Sequence, residues 1–159
     1  MAIEVTAIFF EHGDGWSSRL IQMWTRSYWN HVGAILNDGY TIEAAPSQGI
    51  YRRLVSELPK EGIEVVYLPR YTRIERESWA DCFLSHLHSH AEYDWLGVAW
   101  VWVTLIFPPL RFLNTIFGSK NAYFCAECVQ RCTGIVPGQA PEATTPGDIA
   151  RLLEVEKYA

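Results

Sequence analysis

The chain has 159 residues, enough for one sizeable core and too few for two ordinary domains, so a single domain over 1–159 is expected. With 49% hydrophobic and 19% charged residues, the composition is that of a globular protein, not a disordered one. A formal net charge of -5 with no basic stripe excludes the electrostatic footprint of a nucleic-acid binder.

MAIEVTAIFF carries no Lys or Arg before its apolar run and alternates Ile3, Val5, Ala7 and Phe9, which predicts a strand and no secretory leader. The default expectation is then a cytoplasmic, reducing setting with the four cysteines as free thiols. EHGDGWSSRLIQMW reads as a Gly-rich turn leading into a short amphipathic helix through Leu20, Ile21 and Trp24. In HVGAILNDGYTIEAA, two apolar runs flank Asn37-Asp38-Gly39, a hairpin signal. Gly39 suits the left-handed position of a three-residue loop, and that length pairs Leu36 with Tyr40 and Gly33 with Glu43. His31 and Glu43 then lie one diagonal step apart on the same face, roughly 7–8 Å between backbones, with Gly33 leaving the gap open. A two-residue loop would put them on opposite faces.

GIYRRLV and GIEVVYLP predict two more strands. From residue 72 the hydrophobic period changes: Thr72 and Glu75 form a capping box that opens a helix to about His90. Thr145, with Pro146 at the first helical position and Asp148 as its capping partner, opens a terminal helix through IARLLEVEKY. Between these helices, WLGVAWVWVTLIF (95–107) is thirteen apolar-rich residues, short of the roughly 20 that span a bilayer. It predicts a helix in the core or along a cleft, and it leaves contact with lipid open.

A helix starting near Phe124 puts Cys125, Cys128, Val129 and Cys132 on one apolar stripe. Cys128 and Cys132 read as packing residues. No second cysteine pair or suitably spaced His completes a zinc set, so neither metal nor cofactor is expected. CAEC also lacks the βαβ surroundings of a thioredoxin-like redox pair. Cys125 differs, because the first helical turn favours thiolate over thiol, and a thiolate nucleophile needs an imidazole base with an orienting acceptor. His31 and Glu43 supply that pair. His86 and His90 share a helix face and could bind a metal, although a solvated polar helix end is the preferred reading. His12 reads as an exposed loop residue.

NHVGAI, a Glu on the next strand, a hydrophobic helix, FCAEC and TPGDIA, taken in this order, resemble the permuted NlpC-type papain-like cysteine hydrolases, in particular the YiiX-like group. The resemblance covers nearly the whole chain, and Tyr93-Asp94-Trp95 also looks like part of the pattern. It implies an α+β fold in which an antiparallel sheet packs against helices, including the nucleophile helix. It also implies Cys125, His31 and Glu43 as nucleophile, base and orienter, in an order opposite to that of ordinary NlpC peptidases. The expected activity is cleavage of a peptide or other amide bond, with cell-wall peptidoglycan among the candidate substrates. Reaching the cell wall would then need lysis or incorporation in a phage particle. The group is also similar to lecithin retinol acyltransferase-like enzymes, which keeps a lipid acyl hydrolase or acyltransferase open. A non-catalytic binding or assembly module that kept the fold is the alternative of a different class.

Overall fold

Strand-forming runs dominate the first half of the chain, and in the computed structural model they become one antiparallel sheet; the described residues are 2–45, 48–89, 92–93, 103 and 122–155. The sheet is built from β1 (Val5–Glu11), β2 (His31–Leu36), β3 (Tyr40–Ala45), β4 (Gly49–Leu54) and β5 (Ile63–Tyr67), in the order β4-β3-β2-β1-β5. Helix α1 (Trp16–Thr25) links β1 to β2, and α2 (Arg73–His88) follows β5. Two short strands, β6 (Glu92–Tyr93) and β7 (Ala122–Tyr123), pair in parallel ahead of α3 (Cys125–Thr133) and α4 (Pro146–Leu152). The architecture is α+β.

The β2–β3 turn sets the register on which the site depends. Gly39 has φ +86°, the left-handed region that glycine enters without a Cβ penalty. Ala34 pairs with Ile42 and Ile35 with Thr41, the register of a three-residue loop. Gly33 is confined for a different reason: a Cβ there would lie 2.5 Å from Phe9 Cε1 and 2.9 Å from Glu43 Cβ. The strands therefore close over Gly33.

Strand parity separates two faces. Ile8, Phe10, Val32, Ala34, Ile42 and Ala44 belong to the main core, together with Trp79 and Phe83 of α2 and Val129 of α3. The other face carries His31, Thr41, Glu43 and Arg53. The simple alternation expected for β1 does not hold, since Ala7, Ile8, Phe9 and Phe10 are all buried. An interior strand covered on both faces loses the polar positions that alternation relies on.

Both capping boxes are present: Thr72 Oγ1 accepts from the Glu75 amide, and Thr145 Oγ1 accepts from the Asp148 amide. The terminal helix is shorter than expected, ending at Leu152. Glu154 turns to φ +58°, and the Val155 carbonyl accepts a hydrogen bond from Trp29 Nε1 at 3.0 Å, so a tertiary contact takes over from the helix.

The expectation of four free thiols is corrected. Cys82 of α2 and Cys132 of α3 form a disulfide with a Cα–Cα distance of 5.5 Å, leaving Cys125 and Cys128 free. Periodicity along one helix sees only that helix, and the partner of Cys132 lies 50 residues away on a helix that packs against it. His90, Asp94 and Trp95 lie outside the described residues, as does all of 95–107 except Val103. Among the described residues, no helix is long and apolar enough to cross a membrane.

Candidate active site

Three elements bring the candidate residues together. β2 opens with His31, β3 carries Glu43 near its middle, and α3 opens with Cys125. His31 Nε2 lies 2.6 Å from Glu43 Oε2. The Cys125 side chain lies close enough to the same imidazole to act on its charge. Because Nε2 is taken by the carboxylate, Nδ1 is left to serve the thiol. The His31 side chain is 16% exposed, Cys125 8% and the Glu43 side chain 1%, so the carboxylate lies deepest and the imidazole keeps some access to solvent.

An ionised carboxylate at that depth needs partners that offset its lost hydration. Thr41 Oγ1 donates to Glu43 Oε1 at 3.0 Å, and Arg53 Nη2 donates to Oε2 at 3.2 Å. Arg53 Nε also stands 2.7 Å from Oε1, but its N–H finds no acceptor along its axis, so this is a charge contact and not a directed hydrogen bond. Arg53 reaches Glu11 Oε2 as well, at 3.3 Å. Burial works against the Glu43 charge, yet the His31 hydrogen bond and charge, Arg53 and Thr41 together hold the carboxyl below its ordinary range. Tyr51 faces Glu43 across the strands; burial first, and then the carboxylate charge, push its phenol up to about 12, so it stays protonated.

The imidazole shifts the other way. Burial disfavours its charged form, but the nearby Cys125 and then the hydrogen bond and charge of Glu43 outweigh it and push His31 up from 6.5 to about 10. At neutral pH the imidazole therefore carries both protons. Phe9 packs beside it, with ring centroids 6.0 Å apart. Cys128, three residues along α3, is 1% exposed, and burial together with the Glu127 charge pushes its thiol well above the ordinary range. Glu127 is itself buried and pairs with Arg131 at 2.9 Å.

The remaining histidines do other things. His12 is not a simple exposed loop residue: it stacks on Tyr28 at 3.9 Å, and its Nδ1 lies 2.9 Å from the Tyr28 carbonyl and 2.8 Å from Gln22 Nε2. It ties the loop after β1 to α1 and to the approach to β2. His86 sits in the last turn of α2, where burial and the nearby Arg131 hold it below its usual value. Its side chain lies with Cys82 and Cys132, a grouping that spacing along one segment did not reveal.

Arg53, Thr41 and Tyr51 are the site residues that sequence reasoning missed. Thr41 shares a face of β3 with Glu43, two residues on, and Tyr51 and Arg53 follow from the β3–β4 register, in which Tyr51 faces Glu43 and Arg53 faces Thr41. The signal was present as the second Arg of GIYRRLV, two residues after Tyr51, which puts both side chains on one face of a strand. What was not evident was the loop length that aligns this strand with Glu43.

Comparison of the chain with protein-family models, with curated proteins and with solved structures finds no match in any of the three.

Proposed function

We propose that the chain is a cysteine hydrolase of amide bonds, a peptidase or amidase on a permuted papain-like fold. The observation that carries this reading is the contact of Cys125, in the first turn of α3, with an imidazole whose other nitrogen is 2.6 Å from a buried carboxylate. A core cysteine has no need of a charged partner pair, whereas a nucleophilic one does.

In this mechanism Cys125 Sγ attacks the scissile carbonyl while His31 holds the thiol proton. The C–N bond breaks as His31 passes that proton to the leaving amine, and an acyl-enzyme remains on Cys125. Water, deprotonated by His31, releases the acid and regenerates the thiol. Glu43 fixes the ring so that Nδ1 faces sulfur, and it stabilises the imidazolium without itself taking the proton. The amides of the first turn of α3 have no intrahelical acceptor, and the amide of Cys125 is the donor placed to bind the developing oxyanion. Cell-wall peptide is the substrate class proposed, reached through lysis or from a phage particle.

Two measurements test the reading. Limited iodoacetamide labelling without reductant, followed by peptide mapping, should modify Cys125 well ahead of Cys128; even labelling, or labelling led by Cys128, would remove the nucleophile. Incubation with peptidoglycan fragments, read by mass spectrometry, should give pairs of peptide products whose summed mass exceeds that of their substrate by one water, while phospholipid vesicles incubated separately should stay intact. Fatty-acid release without peptide cleavage would replace the amidase reading with the acyl one. An unreactive Cys125 with no product in either arm would favour the binding module.

A further inference from the structure

At its C-terminal end α3 meets α2 through a cluster that the proposed reaction does not use. Cys82 and His86, four residues apart, lie on one face of α2. Cys132 approaches from α3, and one ligand atom from each of the three lies within 4.8 Å of the others. Cys132 is buried, while Cys82 and His86 are half-buried. A tetrahedral ion bound at about 2.3 Å from sulfur and 2.0–2.1 Å from nitrogen spaces its donors by roughly 3.5–3.8 Å. Donors that all lie within 4.8 Å of one another can reach that spacing once the sulfur–sulfur bond is opened and the sulfurs part.

Two sulfurs and an imidazole suit a zinc-class ion, since calcium and magnesium take oxygen donors. In the oxidised chain the sulfurs are bonded to each other and cannot serve. We propose that in the reduced chain Cys82, His86 and Cys132 form a zinc-class metal site, which ties α2 to α3 in place of the disulfide. A dithiol or phosphine reductant supplies the electron pair that opens the S–S bond and is itself oxidised. Each resulting thiol then gives up one proton on binding the ion.

Two thiolates, a neutral imidazole and a divalent cation make an uncharged set. That suits a neighbourhood holding both the Arg131 guanidinium, close enough to act on His86, and its partner Glu127. The fourth coordination position falls to water. Cys132 stands seven residues beyond Cys125, about 10 Å along the helix at ~1.5 Å per residue. The site therefore braces the nucleophile helix from its far end and takes no part in the reaction.

The test uses the whole chain, reduced with a phosphine, freed of reductant under nitrogen and titrated with Co²⁺ and then Zn²⁺. One equivalent of Co²⁺ should give a thiolate charge-transfer band and the intense visible bands of a tetrahedral site, and Zn²⁺ should abolish both. Zn²⁺ should also protect Cys82 and Cys132, but not Cys125, from iodoacetamide. Cys82→Ser, Cys132→Ser and His86→Ala should each weaken binding by more than the roughly 10–100-fold that outer-shell changes cost, while Cys128→Ala should bind normally. Circular dichroism checks each variant for folding, and the wild-type titration stands whatever the variants do. No cobalt spectrum in the reduced wild type would overturn the proposal. So would a site that survives Cys82→Ser and Cys132→Ser, one lost with Cys125→Ser, or equal uptake by the oxidised chain.

Discussion

The two ends of α3 hold the same kinds of side chain in different company. At the N-terminal end Cys125 meets His31, and a buried Glu43 backed by Arg53 and Thr41 stands behind the ring. At the other end Cys132 meets Cys82 and His86. A carboxylate behind the imidazole raises its affinity for a proton, which suits proton transfer to and from sulfur. A second sulfur in place of the carboxylate makes a bond to sulfur or to a soft metal the available chemistry. Neither pairing is a property of cysteine and histidine alone; the third group decides.

The largest effect that could break this contrast is in turnover. Cys125→Ala should abolish hydrolysis, and His31→Ala should lower kcat by about 10²–10⁴-fold, the usual contribution of a general base. Glu43→Gln should cost less than His31→Ala, because the carboxylate orients the ring but does not carry the proton. Equal losses from both, in folded variants, would count against the roles of base and orienter. Cys132→Ser should leave the labelling rate of Cys125 nearly unchanged.

The opposite end should report on stability. The Cys82–Cys132 bridge closes a separation of 50 residues, which on the chain-entropy account is worth about 4 kcal/mol. Urea unfolding of Cys132→Ser in the presence of a chelator should show a loss of that order, and reduction of the wild type should reproduce it. A loss below about 1 kcal/mol would mean that the bridge adds little to the packing of α2 against α3.

A pH series sharpens the comparison further. His31 is raised in the folded chain from 6.5 to about 10, so its contribution to stability is fully present below about pH 6.5 and is lost as pH rises through about 10. Glu43 runs the other way: its lowered carboxyl contributes above its ordinary range, and that contribution is lost as pH falls through the depressed value. Unfolding free energies of wild type and His31→Gln should converge at the alkaline end. Curves that stay parallel from pH 6 to pH 10 would contradict the shift.

The smallest effect belongs to Thr41. Its hydroxyl donates to Glu43 Oε1 at 3.0 Å, and Thr41→Val removes that bond with little change of shape. A hydrogen bond to a charged group is worth about 1.5 kcal/mol at the low end, which a urea titration can resolve. Kcat should fall severalfold, because Arg53 and His31 still hold the carboxylate.

The hairpin was legible in the sequence because Gly39 marks the loop and strand parity then places His31 and Glu43 on one face without further information. The capping boxes at Thr72 and Thr145, the stripe along α3 and the place of Cys125 in its first turn were legible for the same reason, since each depends on neighbours within a few residues. Three things were decided only by tertiary structure. Arg53 and Tyr51 reach Glu43 through the alignment of β4 on β3. The chain leaves α4 early when Val155 turns to accept from Trp29. Cys132 meets Cys82 and His86 because α2 packs on α3. Local hydrogen bonds and side-chain periodicity are written into short stretches, whereas the meeting of residues 50 apart depends on how whole elements fill a shared core.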